Sequence, residues 1–416
     1  MPEPLHSGVY LGGPALRVAT LAAMGEVLDF LVAGAGPSGS RAAELLAQRG
    51  AVVVLVDPKA PWEKPCGGGL SAAALENTPE LRTLAPQWEL IDEMFLATPS
   101  GANVTVPLRR PFAVLSREVL GHWGLERATR AGVRLVARAI RAAERDAGTW
   151  RVTDDRGETR HARWLVAADG SASTLRPRLA PRLKPELEPT RVGYPATGAP
   201  RGTAALLLFP RCGGYLWDFP RPGHHSVGIG VAPGMFARNV LDWAIRAYGT
   251  TEDNPQSYRG AAIATTHWHS GRFRDLGSRD YALLGDAAGL ADPVTGEGID
   301  YALRSAALAA RTFDERLGFR RYPAAARRAF LPEILRSRVV EHFIYRQAVI
   351  EFLVRGARRW RFAGVAMMAL ADAMNEHRPL GEILGRTLLP GTRDRARATQ
   401  LVANGCVVRE STVAAS

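Results

Sequence analysis

The hydrophobic pattern divides the chain into stretches of different period. Asp29 to Gly39, DFLVAGAGPSG, is an apolar run ending in a glycine loop, and SRAAELLAQRG behind it places apolar residues at helical spacing up to a stop at Gly50. A second apolar run, AVVVLVD, ends at Asp57. The order is strand, turn, helix, strand. Two later runs also end in acidic glycine turns: WLVAADGSASTLR, Trp164 to Arg176, and YALLGDAAGLADPVTGEGIDYALRSA, Tyr281 to Ala306, which continues through a Pro293 loop into a helix. Between Leu183 and Arg274 the apolar runs are short and broken by Gly and Pro, as in an antiparallel sheet. From Arg320 onward the period is helical, with breaks at Pro323, Pro332, Gly356 and Gly364. The longest apolar stretches, such as Val365 to Ala371, fall far short of the roughly 20 residues a spanning helix needs. No transmembrane segment is expected.

Composition narrows the class. At 416 residues and 46% hydrophobic, the chain exceeds one ordinary core and predicts one large composite domain or two to three lobes. Cysteines at 66, 212 and 406 form no C-x-x-C pair, which argues against a disulfide scaffold and a cysteine-rich metal site and fits a reducing cytoplasm. No metal is expected: HWH at 267 to 269 puts two imidazoles on one strand face but has no third ligand at sensible spacing. The first 28 residues lack the layout of a secretory signal and read as an extension, with Met24 an alternative start. The net charge of +12 comes almost wholly from arginine, and from Tyr301 onward 20 Arg stand against 10 Asp plus Glu. That basic third suits an anionic lipid surface or an acidic protein, or is a plain solvated helical face; no nucleic-acid partner is expected.

The glycine loop has the spacing G-x-G-x-x-G at Gly34, Gly36 and Gly39, with Pro37 and Ser38 inside it. Gly34 serves a tight turn, Gly36 the close approach of a pyrophosphate, and Gly39 the packing of helix on strand. The helix N-terminus offers free N–H groups to phosphate, and Asp57, 18 residues after Gly39, is placed to accept from ribose hydroxyls. The fingerprint alone leaves NAD and FAD open. The later turns favour a flavin: Asp286 at a strand end can accept from a ribityl hydroxyl, and a helix starting near Gly298 aims N–H groups at an electron-rich ring edge. Gly296 and Gly298 would let the backbone approach a flat ring.

In order and content these motifs resemble the FAD-dependent oxidoreductases of the glutathione-reductase-like group, which includes aromatic hydroxylases, flavin halogenases and geranylgeranyl reductases. The resemblance covers about residues 29 to 310. It implies that Asp169-Gly170 and Gly285-Asp286 hold FAD, and that Arg117, opening the helix in SREVLGHWGLERATRAGVRLV, contacts the cofactor. Two further stretches resemble the geranylgeranyl reductases. KPCGGGLS, Lys64 to Ser71, matches their cysteine and glycine loop, and Y-x-W-x-F-P at Tyr215, Trp217 and Phe219, followed after seven residues by Gly228 and Gly230, matches their substrate signature. The three aromatics alternate and so share one strand face. One extra residue between Pro210 and Tyr215 departs from the usual pattern.

The resulting expectation is an α/β fold: a discontinuous Rossmann-like FAD-binding domain (29–90, 112–182, 275–315), an antiparallel-sheet substrate domain (91–111, 183–274) and a C-terminal helical region (316–416). The implied reaction is saturation of isolated C=C bonds in a prenyl or polyprenyl chain by hydride from reduced flavin. Gly67, Gly68, Tyr215, Trp217 and Phe219 would bind the chain. Cys66 and Tyr215 are candidate proton donors, with Trp217 beside them. No second nucleotide fingerprint is present, which leaves NADPH, a ferredoxin or a quinol as electron donor. Two alternatives stand: a monooxygenase or halogenase on the same scaffold, and a flavin- and lipid-binding redox factor without turnover. The halogenase version is disfavoured because no lysine follows Lys184 in the substrate sheet. The expected location is cytoplasmic, including the inner membrane face if the basic third docks there.

Overall fold

The computed structural model of the protein describes residues 27–210, 213–232, 259–265, 272–357, 359–378 and 382–383. Nearly all of the N-terminal extension, His267, His269, Cys212, Cys406 and the insertion before Tyr215 lie outside the described residues. Along the chain, β1 (Val27–Ala33), α1 (Pro37–Ala47) and β2 (Val53–Val56) come first. Then follow β3 (Gly69–Leu70), α2 (Ala72–Asn77), β4 (Glu89–Ala97), β5 (Asn103–Val114) and α3 (Arg117–Arg130). Next are β6 (Arg134–Val136), β7 (Ile140–Asp146), β8 (Thr149–Asp154), β9 (Thr159–Ala167) and the short α4 (Arg176–Leu179). β10 (Glu186–Gly193), β11 (Thr203–Phe209), β12 (Gly214–Arg221), β13 (His224–Gly230), β14 (Arg259–Thr265) and β15 (Tyr281–Leu283) precede α5 (Ile299–Thr312), α6 (Tyr322–Ile344), α7 (Gln347–Ala357) and α8 (Arg361–Glu376).

These strands form two sheets. The first runs β6-β2-β1-β9-β8-β7, with β15 also on β9, and its β6, β2, β1, β9 and β15 are parallel. The parallel strands are apolar without alternation because both faces are covered; all four residues of β2 are buried. Phe30 of β1 anchors this core, stacked on Trp164 at 5.1 Å and edge-on to Phe313 at 4.9 Å. The second sheet runs β14-β10-β13-β12-β11-β4-β5-β3 and is antiparallel except where β11 lies parallel to β4. It draws β3, β4 and β5 from the first half of the chain. The segment after the cysteine loop therefore enters the same sheet as the aromatic strand β12.

The helices of the last third cover this second sheet. Ile350, Val354, Met367 and Met368 of α7 and α8 are buried with Ile91, Val106 and Leu208 of β4, β5 and β11. Polar contacts set the position of α8. The Arg109 amide donates to Asp372 at 2.7 Å, the Ala72 amide donates to Asn375 Oδ1 at 2.8 Å, and Asn375 Nδ2 donates to the Arg110 carbonyl at 2.7 Å. A buried amide side chain that satisfies two backbone segments at once locks register where apolar packing alone would slide. Among the described residues no helix is long and apolar enough to cross a membrane.

Candidate active site

One cavity of ≈ 790 Å³ runs between the two sheets and beneath the C-terminal helices. Its walls include Gly34, Gly36, Pro37, Ser38, Asp57, Arg117, Asp169, Gly170, Asp286, Gly296 and Gly298, together with Cys66, Gly67, Gly68, Tyr215, Trp217 and Phe219. Residues that are far apart in sequence thus meet in one space. Gly39 and Gly285 stand behind the wall. A Cβ on Gly39 would lie 1.7 Å from the Gly34 carbonyl oxygen, and one on Gly285 would lie 2.9 Å from Ser38 Oγ, so both glycines are needed for packing.

The phosphate-loop end is built for close approach. Gly36 caps α1, Pro37 takes the first helical position, and nothing of the protein lies within 4 Å of where a Gly36 Cβ would be. Gly34 turns at φ +93° with the Ala168 carbonyl oxygen 2.3 Å from its would-be Cβ. Asp57 is already engaged: Oδ2 accepts from the Ala35 amide at 2.8 Å and Oδ1 from the amides of Lys59 and Ala60. Its carboxylate holds the loop in shape, and the second lone pair of Oδ2 is left for a ligand hydroxyl. Asp169 likewise accepts from Ser173 Oγ at 2.6 Å and the Thr174 amide at 2.8 Å, closing its own turn. Arg176 joins the two later turns, donating to the Ser171 and Ala287 carbonyls.

The glycines at 296 and 298 line the cavity and also have a packing reason of their own. Gly296 turns at φ +67° against Ile263, whose Cδ1 would be 2.7 Å from a Cβ, and a Cβ on Gly298 would press within 2.9 Å of Asp286 Oδ1. Protein packing demands both. The cysteine loop is packed as closely. A Cβ on Gly67 would meet the Phe219 ring at 3.1 Å, and Gly68, at φ +79°, has the Leu115 carbonyl oxygen 2.1 Å from its would-be Cβ. These glycines seat the loop on the aromatic strand and on β5. On β13, Gly228 does the same for Trp217, whose Cζ2 would be 2.3 Å from an added Cβ.

Several residues at the site carried no signal in the sequence reading. Arg221, buried and 5.1 Å over the Tyr194 ring, donates to Glu63 Oε1 at 2.8 Å and to the Cys66 and Gly67 carbonyls at 2.9 and 3.2 Å. It clamps the cysteine loop, and its place directly after Y-x-W-x-F-P was the available clue. Burial pushes the Glu63 carboxyl up, but Arg221 and donors from Ser116 and the Glu118 amide outweigh this and hold it below the usual range. Arg117 opens α3 after the Ser116 cap and is half-buried, with its Nε out of contact with solvent. Burial opposes its charge, yet the adjoining Cys66, with Asp286 and Glu63, more than compensates, and its Nε has no protein partner. Cys66 Sγ also accepts from the Gly68 amide at 3.4 Å. Tyr215 donates its hydroxyl to the Thr295 carbonyl, and burial pushes its ionisation well above the usual range.

Lys64 supplies a lysine that the sequence reading sought only in the substrate sheet. Its Nζ pairs with Asp286 Oδ2 at 2.9 Å on the cavity wall. The argument against a halogenase from the absence of lysine therefore loses its force, although this ammonium is neutralised by its carboxylate. Glu297 also lines the cavity, and its Oε2 lies 3.0 Å from Nε2 of His377, which follows α8 in a left-handed conformation. His377 Nδ1 lies 3.2 Å from Asp300 Oδ2. Burial lowers the His377 pKa, but Glu297 and Asp300 dominate and hold it well above its ordinary value.

A menaquinone reductase from Mycobacterium tuberculosis is 30% identical over 325 residues, spanning 71% of this chain and 79% of that protein. The chain belongs to the geranylgeranyl reductase family of FAD-dependent oxidoreductases. Within that family, digeranylgeranylglycerophospholipid reductase 1 of Methanopyrus kandleri is 30% identical over 301 residues (66% of this chain, 77% of that one). The geranylgeranyl diphosphate reductase of Rhodobacter capsulatus is 29% identical over 297 residues (66% and 72%). Among solved structures, a geranylgeranyl bacteriochlorophyll reductase-like protein from Thermoplasma acidophilum superposes with a TM-score of 0.64 at 19% identity, over 90% of this chain and 96% of that one. The halogenase PltM, in complex with phloroglucinol and FAD, gives 0.63 at 16% identity over 92% and 86%. These two establish the fold. No protein-family model matches the chain.

The cavity of this geranylgeranyl reductase family member fits FAD on its own evidence. The space at Gly36 is open where a pyrophosphate would approach, and the buried Nε of Arg117 lacks a protein partner. The chain is an FAD-dependent oxidoreductase.

Proposed function

We propose that the enzyme saturates isolated C=C bonds of a prenyl or polyprenyl chain. The observation that carries this reading is the continuity of one cavity from the phosphate loop to an apolar wall of Trp217, Phe219, Leu206, Leu208, Met367 and Leu370. Such a wall binds by burial, at roughly 25 cal/mol per Å², with little polar selection. The relatives' names point the same way, since geranylgeranyl groups and menaquinone share an isoprenoid chain.

In this reading Gly34 to Ser38, Asp57, Arg117, Asp169-Gly170 and Asp286 hold FAD, and the cofactor, once reduced, supplies the hydride. Gly67, Gly68, Tyr215, Trp217 and Phe219 position the alkene and exclude water. Saturation also needs a proton. Tyr215 is a poor source because its hydroxyl is committed to Thr295 and burial disfavours the phenolate. Cys66, beside the Arg117 charge, and Glu297, backed by His377, are the sources we favour on the wall.

The test is anaerobic. The purified flavoprotein is reduced, geranylgeranyl lipid or menaquinone is added, and flavin absorbance and product mass are followed. The expected result is reoxidation with a gain of two hydrogens per bond. Reoxidation only by oxygen, with an oxygenated or halogenated product, would refute the reading. Parallel reductions with NADPH and with reduced ferredoxin identify the donor.

A further inference from the structure

The outer side of the helices that close the cavity is as distinctive as the inner side. Phe352, Trp360 and Phe362 are 50%, 45% and 60% exposed, yet they are packed on one another. Trp360 and Phe362 stack at 5.8 Å with 10° between planes, and Phe352 lies 5.3 Å from Trp360. The cluster is preformed: the Trp360 amide donates to the Gly356 carbonyl at 2.7 Å, and its ring covers Gly356, where a Cβ would come within 2.7 Å. Three half-exposed rings packed together make a contiguous apolar patch, and such patches mark interaction sites where single exposed side chains do not. On α6, Leu335, Val339 and Phe343 add a second exposed stripe at i, i+4 and i+8.

The exposed charges around these rings are basic, although one of them, Arg355, is held by Glu351 in an ion pair at 3.2 Å. Among the described residues from 335 to 362, Arg346, Arg355, Arg359 and Arg361 are exposed, whereas Glu341 and Glu351 are not. Exposed rings fringed by arginine, with no exposed carboxylate between them, complement an apolar phase under an anionic surface. The same helices turn Ile350, Met367, Leu370 and Met374 into the cavity. One helical layer therefore separates the patch from the apolar wall.

We propose that the Phe352–Trp360–Phe362 face, with Arg359 and Arg361, docks on an anionic lipid bilayer and holds the cavity's helical wall against it. The docking itself is independent of the reaction assigned above; its use, access of a bilayer-held isoprenoid to the cavity, rests on that reading.

The experiment is co-sedimentation of the FAD-loaded protein with vesicles of phosphatidylcholine, with and without about 30% phosphatidylglycerol. The wild type is expected to partition onto the anionic vesicles and to be released as salt rises. F352S/W360S/F362S should lower partitioning at least tenfold or so, and R359Q/R361Q by about fivefold per arginine. Both variants should keep bound flavin and wild-type reoxidation by a short isoprenoid in buffer, which shows that the fold is intact. Equal partitioning of wild type and aromatic variant would overturn the proposal. It would also be overturned if light scattering showed a self-association that the aromatic variant abolishes while vesicles are ignored, since a second copy would then cover the face. If vesicles bind but no isoprenoid reoxidises the flavin, the docking stands and the proposed reaction fails.

Discussion

His377 gives a prediction whose sign and slope follow from the structure. Its imidazole sits between Glu297 and Asp300 at 3.0 and 3.2 Å, in a buried group that also contains Arg304 and Glu333. Three carboxylates and one guanidinium leave this group at −2 with a neutral imidazole and at −1 with a charged one, so folding favours the proton. A pKa raised in the folded state above the ordinary 6.5 contributes stability that is complete below 6.5 and is lost as pH rises towards the folded value. Across that window the loss approaches about 1.4 kcal/mol per pH unit. The perturbation is His377→Asn, because asparagine is neutral and tolerates the left-handed φ of 51° at this position. Urea unfolding of wild type and variant should be compared from about pH 6 to about pH 9, since the difference between them isolates this proton. The destabilisation should be largest at the acidic end and shrink as pH rises. A difference that stays constant across the range would mean that folding leaves the His377 pKa unchanged, and one that grows with pH would mean that the folded protein holds it neutral; either would make the electrostatic account of this wall wrong.

Three other outcomes follow. Arg117→Ala should weaken retention of FAD by tenfold or more, given about 1.5–3 kcal/mol for hydrogen bonds to a charged group, and flavin absorbance after gel filtration reads it; full retention would remove Arg117 from the cofactor site. Cys66→Ser should keep bound flavin but slow alkene-dependent reoxidation; unchanged turnover would leave Glu297 as the proton source. Glu188, half-buried beside Thr265, has its pKa pushed up by desolvation to about 7, so folding loses stability as pH rises from its ordinary 4.5 to 7. Glu188→Gln should therefore stabilise the protein by about 1–3 kcal/mol above that range, and an unchanged urea midpoint there would refute it.

How much of the site was legible differs residue by residue. The phosphate loop was readable because its glycines are local: Gly34 and Gly39 are constrained by each other and by Ala168 at the end of the neighbouring strand. The aromatic wall was readable too, since alternation along β12 fixes a shared face whatever lies opposite. A second, packing reason stayed out of sight where a glycine's neighbour comes from elsewhere in the chain. Gly296 answers to Ile263, and Gly67 to Phe219, so the reason for each lies in a partner some 30 or 150 positions away. The partners of Lys64 and Arg221, which stand in or beside recognisable motifs, and of His377, which stands in none, were missed for the same reason: the meaning of a charged residue is the carboxylate it meets in space.

By itself, the sequence determined the alternation of elements, the dinucleotide-type turn and the aromatic strand, because these depend on backbone preference and periodicity over short spans. Only the tertiary structure decided that the two sheets share a single cavity and that the arginine-rich third closes it with one face and exposes packed rings on the other. Burial and charge pairing are properties of neighbours in space. Which of the many arginines are clamps, such as Arg221, and which remain in solvent, such as Arg359, follows from the packing of the chain.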